Sequence, residues 1–438
     1  MGGEIERAAV VGAGFSGLLT AVQLLRRSPR LHVTLIERRA DFGPGVAYDT
    51  GNPRHLLNVR LDNMSAFPDA PDHLALWLAE QPSWNARDGF ISRGVYGDYL
   101  RHLLVEAADG ADGRLTCLRG EARTLDRIEG RWRLGLDDGA TVEAEVVVLA
   151  LGNLEPASPP GVGEALRASG RYVENPWRPA PIDEAARDIL VIGTGLTMVD
   201  AVLSLRRPGR TFTALSRRGL LPQEHATAPP APYAGSFSGS PSAVTRQVRA
   251  ALADHDWRAV FDRLRTFARP LWRSWTPDER RRFLRHLRPL WDVRRHRLSP
   301  GVAREVAAMM ESGELTVTAG KLADLSERDG AVEAAWRPRG RRRPIRDRFD
   351  LVINCTGPLG AITQSREPLI RDMLHKGWVR PDPLGLGLKV ADDGRLKAAA
   401  ENAGLYAVGP LTRGAFWEMT AVPDLRLQAA ALAERIAP

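Results

Sequence analysis

Two short apolar runs, each followed by a glycine-rich turn, stand out in the pattern of hydrophobic and polar positions along the chain. Residues 8–11 (Ala-Ala-Val-Val) precede residues 12–17 (Gly-Ala-Gly-Phe-Ser-Gly), and residues 189–192 (Ile-Leu-Val-Ile) precede residues 193–198 (Gly-Thr-Gly-Leu-Thr-Met). Each pattern predicts a buried strand, a tight turn and the start of a helix. Such a unit places a pyrophosphate against backbone N–H groups at the helix N-terminus. The chain is therefore predicted to bind two dinucleotides.

The strand predicted after each turn ends in a different charge. After the first turn the next apolar run ends in Glu37, about twenty residues past the last glycine, where an acid accepts from a ribose 2′-hydroxyl. After the second turn the run leads into Ser216, Arg217 and Arg218, where arginine would bind a 2′-phosphate that a carboxylate repels. We therefore predict FAD at the first site and NADPH at the second. Met198 in place of the third glycine weakens the second signal, although that glycine serves helix–strand packing.

The order of these stretches predicts an α/β protein with two Rossmann-like dinucleotide-binding domains, in which the NADPH domain is inserted into the FAD domain. Residues 142–151 predict an almost unbroken strand that is buried on both faces, and the proline-rich residues 156–160 predict a crossover. We expect the first part of the FAD domain over residues 1–155, the NADPH domain over 156–355 and the second part of the FAD domain over 356–438.

A helical insertion is predicted within the second domain, over about residues 226–310. Residues 226–243 are rich in Pro, Gly, Ser and Ala and predict a loop, whereas the following residues are rich in Arg and Trp. A stripe of such residues is most often a core with a solvated face. The cationic cluster 291–297 (Trp-Asp-Val-Arg-Arg-His-Arg) instead suggests an anionic partner, either a cofactor phosphate or a substrate carboxylate.

Composition narrows the classes of function. The chain of 438 residues has 61 Lys and Arg against 53 Asp and Glu, a net charge of +8. The arginines are spread along the chain, so we expect no nucleic-acid binding, and the mildly basic surface suits anionic cofactors.

Cys117 and Cys355 form no Cys-X-X-Cys pair, so neither the redox disulfide of pyridine-nucleotide disulfide reductases nor a zinc site is expected. No apolar stretch approaches the roughly twenty residues that span a bilayer, and the start leaves no room for a signal peptide, so we expect a cytoplasmic protein. A homodimer stays open.

Candidate cofactor-binding residues come from both turns, the predicted strand ends and the segments that would face a flavin ring. The polar loop 55–65 suits a flavin edge, although it could be an ordinary surface connection. The last apolar run, 404–410, is followed by residues 420–425, which predict a helix N-terminus that would stabilise negative charge on a reduced flavin. The candidates are Gly12, Gly14, Ser16, Gly17, Glu37, Met64, Gly152, Gly193, Gly195, Leu196, Thr197, Ser216, Arg217, Arg218, Gly409 and Val422.

Nearly the whole chain resembles the FAD/NAD(P)-binding proteins related to bacterial L-aspartate N-monooxygenases. These enzymes form nitrosuccinate and are distant relatives of the ornithine and lysine N-hydroxylases. The resemblance rests on both glycine turns and on residues 57–65, 291–297 and 417–424. It implies FAD and NADPH as cofactors, O₂ as co-substrate and a small amine or amino acid as substrate. L-aspartate enters through this resemblance alone.

Without a redox disulfide, hydride must pass directly from NADPH to the flavin, whose reduced form can react with O₂ to a C4a-hydroperoxide that a neutral amine attacks. Bound NADP⁺ and the helical insertion would shield that adduct from water. Arg294, Arg295 and Arg413 are candidates for holding substrate carboxylates, and Asn58 is a fourth catalytic candidate. His225 is expected to be structural.

The prediction is thus an FAD- and NADPH-dependent monooxygenase that N-hydroxylates a small amine or amino acid. S-oxidation and Baeyer–Villiger oxidation are the first alternatives, since both use the same flavin chemistry. A different class, NADPH:flavin electron transfer to a partner protein, also stays open, as does a redox sensor without catalysis. Product analysis separates the oxygenation reactions from one another.

Overall fold

The computed structural model describes residues 5–81, 89–178, 182–398 and 402–438. Its strands and helices are numbered here in chain order. The strands are β1 (Arg7–Val11), β2 (His32–Glu37), β3 (Leu115–Arg119), β4 (Ala122–Ile128), β5 (Arg131–Leu136), β6 (Thr141–Ala144), β7 (Val146–Leu149), β8 (Tyr172–Val173), β9 (Asp188–Ile192), β10 (Thr211–Ser216), β11 (Leu315–Arg328), β12 (Ala331–Pro338), β13 (Ile345–Phe349), β14 (Leu351–Asn354) and β15 (Leu405–Ala407).

Helices cover both sheets and build the insertion. The helices are α1 (Phe15–Arg27), α2 (Gly45–Tyr48), α3 (His73–Ala79), α4 (Arg93–Gly110), α5 (Glu164–Ala168), α6 (Leu196–Leu205), α7 (Pro241–Ala251), α8 (Trp257–Ser274), α9 (Pro277–Arg282), α10 (Arg288–Arg295), α11 (Pro300–Glu311), α12 (Pro368–His375), α13 (Arg413–Phe416) and α14 (Val422–Ile436). Short 3₁₀ turns span Leu61–Asn63, Ile362–Gln364 and Gly409–Thr412, and a π-helical turn spans Phe283–Leu287.

The first sheet is parallel, with the strand order β15-β7-β1-β2-β3. All four residues of β7 are buried, as expected of a parallel strand that is covered on both faces. Val10 and Leu24 belong to one core cluster and Val11 and Leu149 to another, and α1 and α14 contribute residues to both. Because the strands are parallel, their carboxyl ends meet at one edge, and the first glycine turn lies there.

The predicted single strand over residues 142–151 is wrong. The chain breaks at Glu145, whose carboxylate accepts a hydrogen bond from the backbone N–H of Arg7 at 2.8 Å. Before the break, β6 pairs antiparallel with β5 in a separate sheet of order β4-β5-β6; after it, β7 joins the parallel sheet. Both halves are apolar on their buried sides, so hydrophobicity alone cannot locate the point where the chain changes sheets.

The second sheet has the order β13-β12-β11-β10-β9-β14-β8. Strands β8, β14, β9 and β10 run parallel, and β11 pairs parallel with β10 up to Ala319, opposite Ser216. From Gly320 onward β11 pairs antiparallel with β12, which pairs antiparallel with β13. The predicted α/β class with Rossmann-like parallel sheets is confirmed. The domain boundaries after residues 155 and 355 stay a prediction.

The helices α7 to α11 lie between β10 and β11, where the sequence predicts an insertion. Three of their starts carry capping side chains: Ser240, Asp256 and Thr276 accept from backbone N–H groups, and Thr276 forms a capping box with Glu279. Trp272 lies at the centre of the core of this insertion. Trp417, from the C-terminal part of the chain, stacks on it with ring centroids 4.7 Å apart. The insertion is therefore packed against the segment that precedes α14.

Candidate functional site

The first glycine turn connects β1 to α1 at the carboxyl edge of the first sheet. Gly12 has φ +100°, and a Cβ there would lie 2.5 Å from the carbonyl oxygen of Ala150, while a Cβ at Gly17 would lie 1.7 Å from the oxygen of Gly12. Both glycines are therefore required by the fold. Gly14 is different, because its φ of −74° suits any residue and its Cβ would meet only Gly45 Cα at 3.5 Å. A glycine there leaves the turn open to a ligand.

Glu37 lies beside this turn, at the end of β2. Its carboxylate accepts hydrogen bonds from the backbone N–H of Ala13 at 2.8 Å and of Arg39 at 3.0 Å. The acid predicted to accept from a ribose hydroxyl is thus held next to the turn predicted to bind the pyrophosphate. The geometry fits the adenosine half of a dinucleotide that is bound at β1 and β2.

The remaining first-site candidates line the same edge on the side of β7 and β15. A Cβ at Gly409 would lie 2.9 Å from Ser16 Oγ, and its backbone N–H donates to the side chain of Gln428 on α14. Gly152 follows β7, and no atom lies within 4 Å of a Cβ built there. α14 begins at Val422. It follows β15, the 3₁₀ turn and α13 in the chain. Met64 is buried nearby, and its carbonyl accepts from the Tyr96 hydroxyl at 2.9 Å.

The second glycine turn connects β9 to α6, and its glycines differ in the same way. Gly193 has φ +118°, and a Cβ there would lie 2.2 Å from the Cys355 oxygen. Gly195 has φ −89°, is exposed, and would have no atom within 4 Å of an added Cβ. Met198, which replaces the third glycine, is fully buried in the core between helix and sheet. Leu196 and Thr197 are half-buried at the start of α6.

The end of β10 lies against this second turn. The Thr194 hydroxyl donates to the Leu220 carbonyl at 2.6 Å and lies 2.9 Å from Ser216 Oγ, so hydrogen bonds connect the turn to the strand end. Arg217 is exposed. Arg218 instead donates to the carbonyls of Arg285 and His286, both at 3.1 Å, in the π-helical turn of the insertion. Arg218 therefore links the predicted NADPH site to the helical insertion.

Two of the three arginines predicted to hold a substrate carboxylate, Arg294 and Arg295, point in different directions. Arg295 forms a buried ion pair with Glu418 at 2.8 Å, with side chains 10% and 9% exposed. Arg294 turns to the other side of α10, where it donates to the Leu290 carbonyl and lies over the Phe261 ring. Consecutive residues on a helix point about 100° apart, which separates the two.

Arg413 begins α13 and donates weakly to the carbonyls of Leu359 and Leu386, at 3.3 and 3.4 Å. The buried donors that lack a hydrogen-bond partner within the described ranges include Arg413 Nε, Arg295 Nη2 and Trp417 Nε1. These donors belong to α10 or to the segment 413–418 that it contacts. Buried donors without a partner are costly, so their concentration here points to a ligand with oxygen acceptors.

A cavity of about 610 Å³ lies between α8 and α14, next to this region. Its volume falls in the range of about 300–1,000 Å³ that is usual for small-molecule sites. Its lining includes Glu418, the partner of Arg295, and combines charged with apolar side chains. The lining includes Asp262, Arg265, Arg269, Phe416, Glu418 and Asp424.

Asn58, in the polar loop predicted to border the flavin, is held by the second unit. Its carbonyl oxygen lies 3.1 Å from His225 Nε2, and Arg60 donates to the Ala226 carbonyl at 2.6 Å. A carbonyl only accepts, so His225 Nε2 carries a hydrogen. Burial lowers the pKa of His225 to about 4, which keeps the imidazole neutral. Sequence reasoning missed this contact, because 167 residues separate the two partners.

Metal sites and membrane spans are both absent from the described part of the chain. Across residues 5–81, 89–178, 182–398 and 402–438, no group of three or more His, Cys, Asp or Glu side chains is arranged to hold a metal ion. Over those same ranges, no helix combines the length and the apolar composition needed to cross a bilayer.

The first unit is similar to a known family. Residues 9–154, from β1 to just past β7, match a family model described as FAD-NAD(P)-binding. The first unit is therefore similar in sequence to FAD-NAD(P)-binding domains. Seven of the cofactor-binding candidates lie within it: Gly12, Gly14, Ser16, Gly17, Glu37, Met64 and Gly152.

Three curated relatives are monooxygenases. The chain is 25% identical over 238 residues to a Baeyer-Villiger monooxygenase of Pseudooceanicola batsensis, covering 50% of this chain and 40% of the relative. It is 25% identical over 224 residues to the FAD-containing monooxygenase EthA of Mycolicibacterium smegmatis (48% and 40%). It is 27% identical over 223 residues to the indole-3-pyruvate monooxygenase YUCCA1 of Oryza sativa (50% and 50%). The chain thus spans about half the length of these relatives or less.

Solved structures share the fold over nearly the whole chain. The ornithine N-hydroxylase KtzI of Kutzneria sp. 744 has a TM-score of 0.65 at 15% identity and covers 99% of both chains. The ornithine hydroxylase PvdA of Pseudomonas aeruginosa has a TM-score of 0.65 at 16% identity, over 99% and 98%. The bacillithiol disulfide reductase of Staphylococcus aureus has a TM-score of 0.58 at 12% identity, over 98% and 97%. The same fold therefore serves hydroxylases and a disulfide reductase.

Proposed function

We propose that the protein is an FAD- and NADPH-dependent monooxygenase that N-hydroxylates a small amine or amino acid. One observation carries the proposal: the middle glycine of each turn, Gly14 or Gly195, is not required by its backbone angle or by a close neighbour. Glycine at both positions is instead explained by the close approach of a pyrophosphate. The same pattern in two parallel sheets supports two dinucleotides on one chain.

The residues present fit both cofactors. For FAD, backbone N–H groups at the start of α1 would bind the pyrophosphate, Glu37 the ribose, and the N-terminus of α14 at Val422 the flavin's pyrimidine edge. For NADPH, Gly195 and the start of α6 would bind the pyrophosphate and Arg217 the 2′-phosphate. The bound flavin, once reduced by NADPH, supplies the chemistry that activates O₂.

The cysteines favour oxygen over a disulfide as the electron acceptor. Cys117 is exposed on the edge strand β3, whereas Cys355 is buried after β14 in the other sheet. Burial raises the pKa of the Cys355 thiol, which makes it a poor nucleophile. The chain has only these two cysteines, so the two thiols cannot serve as a redox pair beside one flavin. This distinguishes the chain from disulfide reductases that use such a pair.

We assign the substrate to the side of the cavity formed by Glu418 and its neighbours. Arg295, which pairs with Glu418, and Trp417, which precedes Glu418 in the chain, each carry a buried donor without a partner, Arg295 Nη2 and Trp417 Nε1, and a substrate carboxylate would satisfy them. L-aspartate is the finer candidate, supported by the sequence resemblance. Baeyer–Villiger or S-oxidation is the second candidate function, supported by the similarity to a Baeyer-Villiger monooxygenase.

The test is NADPH oxidation by the FAD-loaded protein, measured with L-aspartate, L-ornithine, cadaverine, a ketone and a thioether in parallel. We expect one amine to stimulate NADPH oxidation and to yield its hydroxylamine or nitroso product in proportion to the NADPH consumed. Ester or sulfoxide products would move the assignment to the second candidate. If every candidate leaves all electrons in H₂O₂, or only an acceptor protein stimulates turnover, the monooxygenase proposal is wrong.

A further inference from the structure

The turn between β12 and β13 is the most basic short segment of the described chain. It carries Arg339, Arg341, Arg342 and Arg343, and all four are exposed. In the described part of the protein, none of their guanidinium groups has a hydrogen-bond or ion-pair partner. Many other arginines do have one: Arg346, three residues further on, pairs with Glu333. The turn therefore concentrates positive charge that the protein itself leaves unneutralised.

This turn lies beside the end of β10. The backbone N–H of Arg339 donates to the Ala319 carbonyl at 2.8 Å, and Ala319 lies opposite Ser216 in the parallel pairing of β10 and β11. Neighbouring strands are about 4.8 Å apart, so roughly 10 Å separates the backbone of Arg339 from that of Ser216. An arginine side chain can cover much of that distance. Arg339 and Arg217 therefore border the same edge of the second sheet.

Of the two arginines that follow Ser216, only one is free to bind a cofactor phosphate. Arg218 is engaged with the carbonyls of Arg285 and His286, which leaves the exposed Arg217 as the guanidinium available at this strand end. A phosphate monoester carries close to two negative charges at neutral pH and accepts from several donors. A second arginine is therefore needed to match its charge.

We propose that Arg339 completes the subsite for the 2′-phosphate of NADPH together with Arg217, and that Arg341, Arg342 and Arg343 steer the anionic cofactor toward it. The inference rests on the proposed use of NADPH and adds the turn between β12 and β13 to its binding site. Clustered charge of one sign raises the association rate of an opposite charge, and salt screens this effect. Loss of the subsite arginine should therefore lower the affinity for NADPH, whereas loss of the steering arginines should lower a salt-dependent association rate.

The first experiment compares Arg339→Gln with wild type and with Arg249→Gln. Arg249 is an exposed arginine on α7, in the helical insertion, and serves as the charge-matched control. We expect Arg339→Gln to raise the KM for NADPH about ten-fold, the effect of losing one charge-assisted hydrogen bond, and to leave the KM for NADH unchanged. Adenosine 2′-monophosphate should inhibit this variant more weakly by a similar factor, while inhibition by adenosine 5′-monophosphate stays the same.

The second experiment replaces Arg341, Arg342 and Arg343 together by glutamine. We expect the second-order rate of flavin reduction by NADPH to fall at low ionic strength and its dependence on salt to flatten, with an unchanged limiting rate. An Arg339→Gln variant that retains wild-type NADPH and 2′-monophosphate binding would overturn the subsite, while NADPH use by wild type would stand. A wild type that uses NADH as well as NADPH would overturn the NADPH assignment, and the inference with it.

Discussion

Arg93 and Asp200 form a buried ion pair between the two dinucleotide-binding units. Arg93 Nη2 lies 2.9 Å from Asp200 Oδ2, with the side chains 15% and 10% exposed. Arg93 begins α4, in the first unit, and Asp200 lies on α6, shortly after the turn at Gly195. The guanidinium also lies over the Trp177 ring, 5.4 Å from its centroid. The helix that would present the pyrophosphate of NADPH is thereby fixed relative to the first unit.

Further hydrogen bonds between the two units lie near this pair. His55 Nε2 lies 2.7 Å from the Ser204 hydroxyl, and Asn52 donates to the same oxygen at 3.0 Å. Burial raises the pKa of Asp200 while the charge of Arg93 opposes that shift, and the net direction is upward. The carboxylate therefore depends on Arg93 for its charge. Any rotation of one unit against the other has to break this contact or carry it along.

Replacing Asp200 by Asn should destabilise the protein and slow its reduction by NADPH. The variant leaves Arg93 buried without a counter-charge, which typically costs about 3–5 kcal/mol. We expect Arg93→Met/Asp200→Leu to recover most of the free energy of unfolding but not the rate of flavin reduction, because apolar residues restore packing without fixing the orientation. Chemical denaturation and stopped-flow reduction measure the two effects. Glu184→Gln, which breaks an exposed pair with Arg207, is the control and should change neither.

The Arg93–Asp200 pair also marks the limit of what the sequence could predict. The turns at Gly12 and Gly193, Glu37 and the start of α14 are local patterns, and each is visible in a few consecutive residues. Arg93 and Asp200 are far apart in the chain, and nothing local distinguishes them from solvated charges. Their pairing depends on how the two sheets pack, which hydrophobic periodicity does not encode.

Other features escape sequence reasoning for different physical reasons. Arg294 and Arg295 are adjacent in sequence, so the cluster of charge along the chain suggests one clamp, yet helical geometry turns them apart. The basic turn between β12 and β13 is visible as seven arginines within residues 337–348. Arginines are frequent along the whole chain, however, and this background hides the local concentration. Only the pairing of β10, β11 and β12 brings that turn to Ser216.

Gly195→Val should weaken NADPH binding without unfolding the protein. The φ of −89° at Gly195 suits valine, and the space around its Cβ is open, so the side chain would occupy the position of the pyrophosphate. We expect the melting temperature and the FAD content to match wild type, and the KM for NADPH to rise at least about ten-fold. Gly193→Val is the contrasting variant and should fail to fold, because its Cβ would lie 2.2 Å from the Cys355 oxygen. Full NADPH affinity in Gly195→Val would show that the second turn is misassigned.

Variants of the Arg295–Glu418 ion pair distinguish an effect on stability from an effect on substrate binding. Burial raises the pKa of Glu418, but the charge of Arg295 and the hydrogen bonds from Arg295 and Trp291 outweigh it and lower the pKa overall. Glu418→Gln should therefore cost about 3–5 kcal/mol, since Arg295 is left without a counter-charge. Arg295→Met/Glu418→Leu should recover stability and raise the KM of a carboxylate-bearing amine, with little effect on a diamine such as cadaverine. Equal losses for both amines would exclude a carboxylate contact at Arg295.

His225 should make the protein less stable as the pH falls from about 6.5 to 4. Its pKa is about 4 in the folded protein, lowered by burial, against about 6.5 in an unfolded chain. Above pH 6.5 the imidazole is neutral in both states and contributes no pH dependence. Below pH 6.5 the imidazole takes up a proton in the unfolded chain but not in the folded protein. The free energy of unfolding therefore falls by about 3 kcal/mol between about pH 6.5 and 4. His225→Gln retains a donor for the Asn58 carbonyl but cannot titrate, so its denaturation free energy should fall less steeply with acid. Because the two proteins share all other histidines, the difference between the two pH profiles isolates His225, and parallel profiles would show that the folded protein does not exclude a proton from His225.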